Sequence, residues 1–332
     1  MRTRTASARG EVHNMATDRP SFPRPTARVL FAPAVSADPR VSGVVLAALR
    51  VLGGLLWLYN VSWKRPPDFG EDDGAGLYRF TSDAVEHPVF APYSWVVEHL
   101  VLPQFQAFGW VVLATETALA VLLLTGTLVR LAALLGIAQS LAIALSVAQT
   151  PGEWPWSYWM MIGIHVVLLG TAAGAVASVD AVRAARAAPP DPADPTPRRA
   201  QATRLLLGWG ALVALAGAVA LVMSIGEDPL APDGAPLGGP DFSVSLGSYN
   251  LLGALALLSV GALLIAAAAT GRTMLARAGA GLAVLAALSL YAQLGFTDPL
   301  LGGTNTSAAF FLCAAVVGVG ASARRSPSHS IS

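Results

Sequence analysis

The chain is nearly without cysteine and lysine and is poor in charge of either sign. A single cysteine, Cys313, excludes an internal disulfide, a Cys-ligated iron–sulfur cluster, a CxxC redox pair and covalent CxxCH haem attachment. Lys64 is the one lysine among 21 basic residues; so much arginine beside so much alanine, glycine and valine reflects a GC-rich coding bias. Charged residues make up 12% of the 332 positions, about half the share of an ordinary soluble domain. Hydrophobic residues make up 54%, and mean hydropathy is +0.58. A soluble globular domain is excluded. The 21 basic and 20 acidic residues leave a net charge of +1, so nothing indicates a nucleic acid or polyanionic partner. No phosphate-binding loop, no GxGxxG after a strand and no HExxH occurs.

What the chain has instead is long apolar runs. About 20 helical residues cross the ~30 Å hydrocarbon layer, and the runs that approach this length are 41–61, 107–125, 131–148, 158–179, 205–225, 249–270, 276–294 and 307–321. They are continuous, not short and alternating, so helices and not barrel strands satisfy their backbone in lipid. The expectation is an all-α integral membrane protein of eight transmembrane helices, arranged as two four-helix bundles.

Orientation follows from the basic residues. The N-terminal segment to Arg50, the turn with Arg130, residues 180–204, the turn with Arg272 and Arg277, and the tail with Arg324 and Arg325 hold 18 of the 21. The alternate loops hold Lys64, Arg65 and Arg79, together with 13 of the 20 acids. Both termini are expected in the cytoplasm of a bacterium, the chain lying in its plasma membrane. Residues 1–40 read as a disordered tail, with Met15 an alternative start to Met1. A first membrane domain covers 41–181 with a long outer loop at 62–106. A Pro-rich linker covers 182–203, a second membrane domain 204–322, and a cytoplasmic tail 323–332. Thr125-Gly126 with Arg130 recurs as Thr270-Gly271-Arg272, and Val147-Ala148-Gln149 as Tyr291-Ala292-Gln293. The halves therefore read as a parallel duplication.

An acid at the bilayer centre is costly unless paired, so it is read first as functional. Glu116 lies ~14 Å and His165 ~11 Å from the outer ends of their helices, and Arg50 ~17 Å from the outer end of its own, at 1.5 Å per residue. The three occupy one slab of the membrane. They read either as a polar cluster lining a site, or as an Arg50 reaching the cytoplasmic surface and a His165 making one interhelical hydrogen bond. Trp57, Asn60 and Lys64 share one face at i, i+3 and i+7, as part of a binding wall or with Lys64 as an interfacial anchor. Trp156 and Trp159, in the run from Glu153 to Trp159, read as an aromatic belt or as the entrance for a planar ligand. The stretch 92–102 suggests a helix lying in the interface. His87 and His99, with Glu71-Asp72-Asp73, lack a recognised ligand spacing and read as solvated loop, so no metal site is expected. Gly170 and Gly174 form a GxxxG that suggests close helix packing. With one histidine inside a span, bis-His haem is excluded within a single chain.

The first half resembles a known family. Arg50-Val-Leu-Gly leading to Trp63-Lys-Arg-Pro-Pro67, then Glu116-Thr-Ala-Leu-Ala-Val-Leu-Leu-Leu-Thr-Gly126 with Arg130, then a fourth helix closing on Asp180, is similar to the DoxX/DoxD family. That is a four-helix membrane family that includes the small subunit of thiosulfate:quinone oxidoreductase. The resemblance covers roughly residues 42–181. It implies Arg50, Glu116, Arg130 and Asp180 as the family's charged positions. On this basis the chain is expected to be a membrane subunit of a quinone-linked oxidoreductase, passing electrons from a reduced sulfur compound or a partner subunit on the outer face to menaquinone or ubiquinone. Glu116 and His165 would then exchange protons while Arg50 stabilises charge. A non-catalytic scaffold recruiting redox partners is the alternative, and a small-solute transporter the third. The positions aligned with Glu116 and His165 in the second half are Gly261 and Ala309, which leaves that half a structural role.

Overall fold

The computed structural model describes residues 38–188, 196–239 and 244–322; almost all of the expected N-terminal tail, the middle of the Pro-rich linker and the C-terminal tail lie outside them. Helix α1 (Pro39–Ser62) is followed by α2 (Gly76–Glu86) and α3 (Ala91–Val96). From α3 the chain runs through a π turn at Val97–Val101 and a 3-10 turn at Leu102–Gln104 into α4 (Phe105–Thr125). Next come α5 (Val129–Val147), α6 (Pro155–Gly170), α7 (Val179–Ala187) and α8 (Thr196–Met223). An antiparallel hairpin, β1 (Ala235–Gly239) with β2 (Val244–Tyr249), precedes α9 (Leu251–Thr270), α10 (Thr273–Gln293) and α11 (Asn305–Ser322). Among the described residues seven helical stretches are long and apolar enough to cross a membrane: α1, Ala91–Thr125, α5, Arg199–Met223, α9, α10 and α11. These are what an integral membrane protein requires.

The remaining expected span is the one that differs. α6 stops at Gly170 after 16 residues, where a helix over 158–179 is expected. The chain then runs irregularly to Ser178, whose hydroxyl caps α7 by accepting from the Ala181 N–H at 2.9 Å. Gly170 and Gly174 therefore do not share a helix face. A Cβ at Gly170 would meet nothing within 4 Å, and one at Gly174 would meet the Asp180 Cβ at 3.2 Å. Asp180 ties the end of this segment back to the start of α5: its N–H donates to the Gly126 carbonyl at 2.9 Å, and its carboxylate accepts from Leu128 N at 3.1 Å and Val129 N at 3.0 Å. Since α6 begins just after α5 ends, the stretch from 155 to 180 runs the whole length of α5 although only part of it is helical.

Irregular backbone at such a depth needs partners, and Arg50 supplies them. Its guanidinium donates to the carbonyls of Leu123 at 2.6 Å and Leu124 at 3.3 Å, at the end of α4, and to those of Val176 at 3.4 Å and Ala177 at 3.1 Å in the irregular segment. The α4 carbonyls are among those any helix leaves unpaired at its end. Gly126 makes this possible: it turns α4 off in the left-handed region at φ 65, and a Cβ there would lie 2.4 Å from an Arg50 nitrogen.

The stretch 92–102 is continuous with α4, so Ala91–Thr125 is one helical run of 35 residues bent by the π and 3-10 turns; Pro103, which cannot donate to the ladder, sits at that bend. In the second half, α11 is almost wholly buried, in contact with α1, α4, α8, α10 and β2. Its Ala309 belongs to the core formed by Trp57, Leu119, Leu123 and Leu168 of the first half. Two further bonds join the halves: Asn305 Nδ2 donates to the Lys64 carbonyl at 2.5 Å, and the hydroxyls of Thr117 and Tyr291 lie 3.1 Å apart.

Candidate functional site

An apolar cavity of about 660 Å³ lies between α1, α2, the α3–α4 run, α5 and the start of α6. Tyr59, Trp63, Phe80 and Phe108 give it aromatic walls, and Val96, Val111 and Ile143 aliphatic ones. Exposed Tyr59 and Val111, on helices apolar enough to sit in lipid, lie on its rim, so it opens toward the membrane-facing surface.

One buried ion pair sits in this wall. Lys64, just past the end of α1, turns inward, and its Nζ pairs with Glu116 Oε2 with both side chains at most 2% exposed. Nζ also donates to the Asn60 carbonyl at 2.9 Å and lies 3.9 Å from the centre of the Trp63 ring, a cation–π contact. The other carboxylate oxygen of Glu116 accepts from Gln139 Nε2 at 3.3 Å. Burial lowers the pKa of the Lys64 ammonium, and the Glu116 carboxylate pulls it back up. Further polar groups belong to the lining, where the Tyr93 hydroxyl is 2.9 Å from that of Ser146 and Tyr158 donates to Glu153 at 2.6 Å.

The expected trio does not assemble. Among the described residues, Arg50, Glu116 and His165 share no hydrogen bond or ion pair with one another. The depth count placed them in one slab, but the Arg50 guanidinium reaches the carbonyls of Leu123 and Leu124 at the end of α4, Glu116 pairs with Lys64, and His165 with Trp57. Arg50 is occupied by carbonyls. His165 is fully buried between α1, α5 and α6, where Trp57 Nε1 donates to its Nε2 at 2.9 Å and its Nδ1 lies 2.7 Å from the Met161 carbonyl. That arrangement requires the proton on Nδ1 and leaves the imidazole no open nitrogen. The α5 backbone comes so close that a Cβ at Gly136 would lie 2.1 Å from the ring. His165 thus makes one interhelical hydrogen bond, to Trp57 of α1.

The face of Trp57, Asn60 and Lys64 divides. Asn60 and Lys64 reach the cavity wall, whereas Trp57 is fully buried beside His165. Lys64 is no interfacial anchor, since it is buried. Trp156 and Trp159 are 53% and 64% exposed and do not line the cavity; Glu153 and Tyr158 from the same run do. His99 is exposed, stacked on Trp95 and 3.7 Å from Glu98, so it does not join His87. Gln139 escaped the sequence reading. An amide in the middle of an apolar run is the signal that would have found it.

No family model, no curated protein and no solved structure matches the chain. The reading of the site therefore rests on its geometry and chemistry.

Proposed function

We propose that the chain is the quinone-binding membrane subunit of an oxidoreductase of the DoxX/DoxD kind, in a bacterial plasma membrane, with both termini cytoplasmic. The observation that carries this reading is the buried Lys64–Glu116 pair in the wall of an otherwise apolar, aromatic-lined cavity that opens toward lipid. Its volume suits a small ring ligand, for which pockets run about 300–1,000 Å³. A quinone ring is apolar on its faces and has two carbonyl oxygens, and when bound it takes up two electrons and two protons. Lys64 Nζ and the Gln139 amide are the donors available to one carbonyl oxygen. Glu116 is the group that would hold a proton beside it and be recharged through Lys64. The Tyr93 and Tyr158 hydroxyls, also in the lining, are the groups available to the second oxygen. The electrons come from a partner subunit on the outer face that oxidises a reduced sulfur compound such as thiosulfate. The protons are thus handled by Lys64 and Glu116, with Gln139 as a hydrogen-bond donor beside them, in place of Arg50, Glu116 and His165.

The test is binding of a short-chain quinone to purified protein in nanodiscs, followed by quenching of tryptophan fluorescence. Saturable binding is expected, weakened at least about fivefold by Gln139→Leu, in line with the loss of one hydrogen bond. Binding that is absent, or unchanged by Gln139→Leu and by Glu116→Gln, would remove the quinone and return the scaffold reading.

A further inference from the structure

Outside the cavity, α2 ends on three side chains of ligand type. Asp83, Glu86 and His87 stand at i, i+3 and i+4, and each brings one ligand atom to within 4.8 Å of the other two. The backbone builds this convergence. Pro88 cannot continue the helix and disfavours the α region in the residue before it, so His87 leaves the helix at φ −128, ψ 66. Its N–H still closes the last turn on the Asp83 carbonyl at 2.7 Å, which keeps the two residues one above the other.

An independent observation points to a ligand. Asp83 is only 5% exposed, and its Oδ2 has no hydrogen-bond partner among the described residues. A buried carboxylate oxygen with no donor bears its full desolvation cost, and a cation is the partner that removes it. Packing of α2 against α5 fixes Asp83 in place. Glu86 is exposed and His87 partly so, which leaves an ion and its waters an entry path.

We propose that Asp83, Glu86 and His87 bind one divalent first-row transition ion, with water completing its shell. Two carboxylates balance the charge of the ion. With one imidazole they form the mixed oxygen and nitrogen set that suits zinc, manganese or iron rather than a thiolate-seeking metal. Rotation of the two accessible side chains draws the ligands in around the ion. The bound ion would tie the buried side of α2 to its outer end and stiffen a helix whose Leu77, Phe80 and Thr81 line the cavity.

The experiment uses full-length protein in detergent, stripped with EDTA and titrated with Zn²⁺ by isothermal calorimetry. One ion per chain is expected. Asp83→Asn and His87→Gln should each weaken binding at least about tenfold, the loss that even outer-shell changes cause. Zn²⁺ should raise the melting temperature of the wild type but not of the variants. Melting of the metal-free variants reports on folding; Asp83→Asn, which removes the orphaned charge, is the variant expected to fold best. No saturable binding to the wild type, equal affinity in both variants, or loss of binding in His99→Ala would overturn the proposal.

Discussion

Arg50 donates to four carbonyl oxygens on two segments, and only a planar fork of five N–H groups reaches both at once. Arg50→Lys keeps the charge and loses the fork. It should fold poorly and melt well below the wild type, since each hydrogen bond to a charged group contributes about 1.5–3 kcal/mol; a normal melting temperature in detergent would show that the clamp does not hold the fold. Lys64 and Glu116 need a different argument. Removing one partner leaves the other charge buried and uncompensated, at a cost of about 3–5 kcal/mol, whereas replacing both with apolar groups of similar volume is often neutral. Glu116→Gln should therefore destabilise markedly, contrary to what an isolated acid would predict, and Lys64→Met combined with Glu116→Leu should recover most of the loss. Both should lose quinone binding. Thermal melting and quinone titration of Lys64→Met, Glu116→Leu and the double variant separate the effects; additive destabilisation would mean the pair is not coupled. Sequence position exposed Glu116 as the acid to explain. It did not expose Lys64 as its partner, because Lys64 lies beyond the helix end and is buried only because the chain after Ser62 folds inward.

At the scale of elements, the apolar runs told most because length and hydropathy alone decide whether a helix can span lipid. Their ends shifted by a few residues at most, except in α6, in α8, which begins at Thr196, nine residues before 205, and in the run into α4, which extends back to Ala91. The first exception is instructive: 158–179 is apolar throughout, but its last part gains its backbone partners from Arg50, 126 positions away from Val176, and no local pattern shows such a contact. The hairpin 235–249 was missed for a related reason, since its glycines and prolines mask any alternation and β2 is held by Ser307 of α11 at Ser248. The proposed duplication gives equivalent places to α6 and α11, yet α6 buries His165 and Leu168 whereas α11 is buried along nearly its whole length. Whatever their ancestry, the two helices do different work. α5 approaches α6 through Gly136, whose Cα faces the His165 ring with no room for a methyl group. Gly136→Ala should therefore separate the helices and lower stability by about 1–3 kcal/mol, as overpacking does, while leaving the cavity wall at Gln139 one turn away. A Gly136→Ala protein with wild-type melting would contradict the close approach.

At the scale of the molecule, the remaining question is whether the chain crosses the membrane seven times or eight. α6 alone, at 1.5 Å per residue, spans roughly 24 Å and falls short of the ~30 Å layer. However, the segment from 155 to 180 travels the length of α5, and Asp180 closes on Gly126, Leu128 and Val129 at the α4–α5 turn. The basic residues agree: Arg183, Arg186, Arg199 and Arg204 follow this segment, and the acidic loop with Glu227, Asp228 and Asp233 follows α8. Seven crossings would put those arginines outside and the acids inside, against the charge rule. Eight crossings are therefore expected, the sixth helix finishing its passage in irregular chain sheltered by Arg50. On a Cys313→Ala background, single cysteines at Asp72 and Asp228 should react with an impermeant thiol reagent in intact cells. One at Ala184, which is exposed, should react only after the membrane is opened. Labelling of Ala184 from outside would mean that α6 and the irregular chain after it turn back without crossing, and the placement of the linker and of every later span would have to be inverted, while the cavity before them keeps its side.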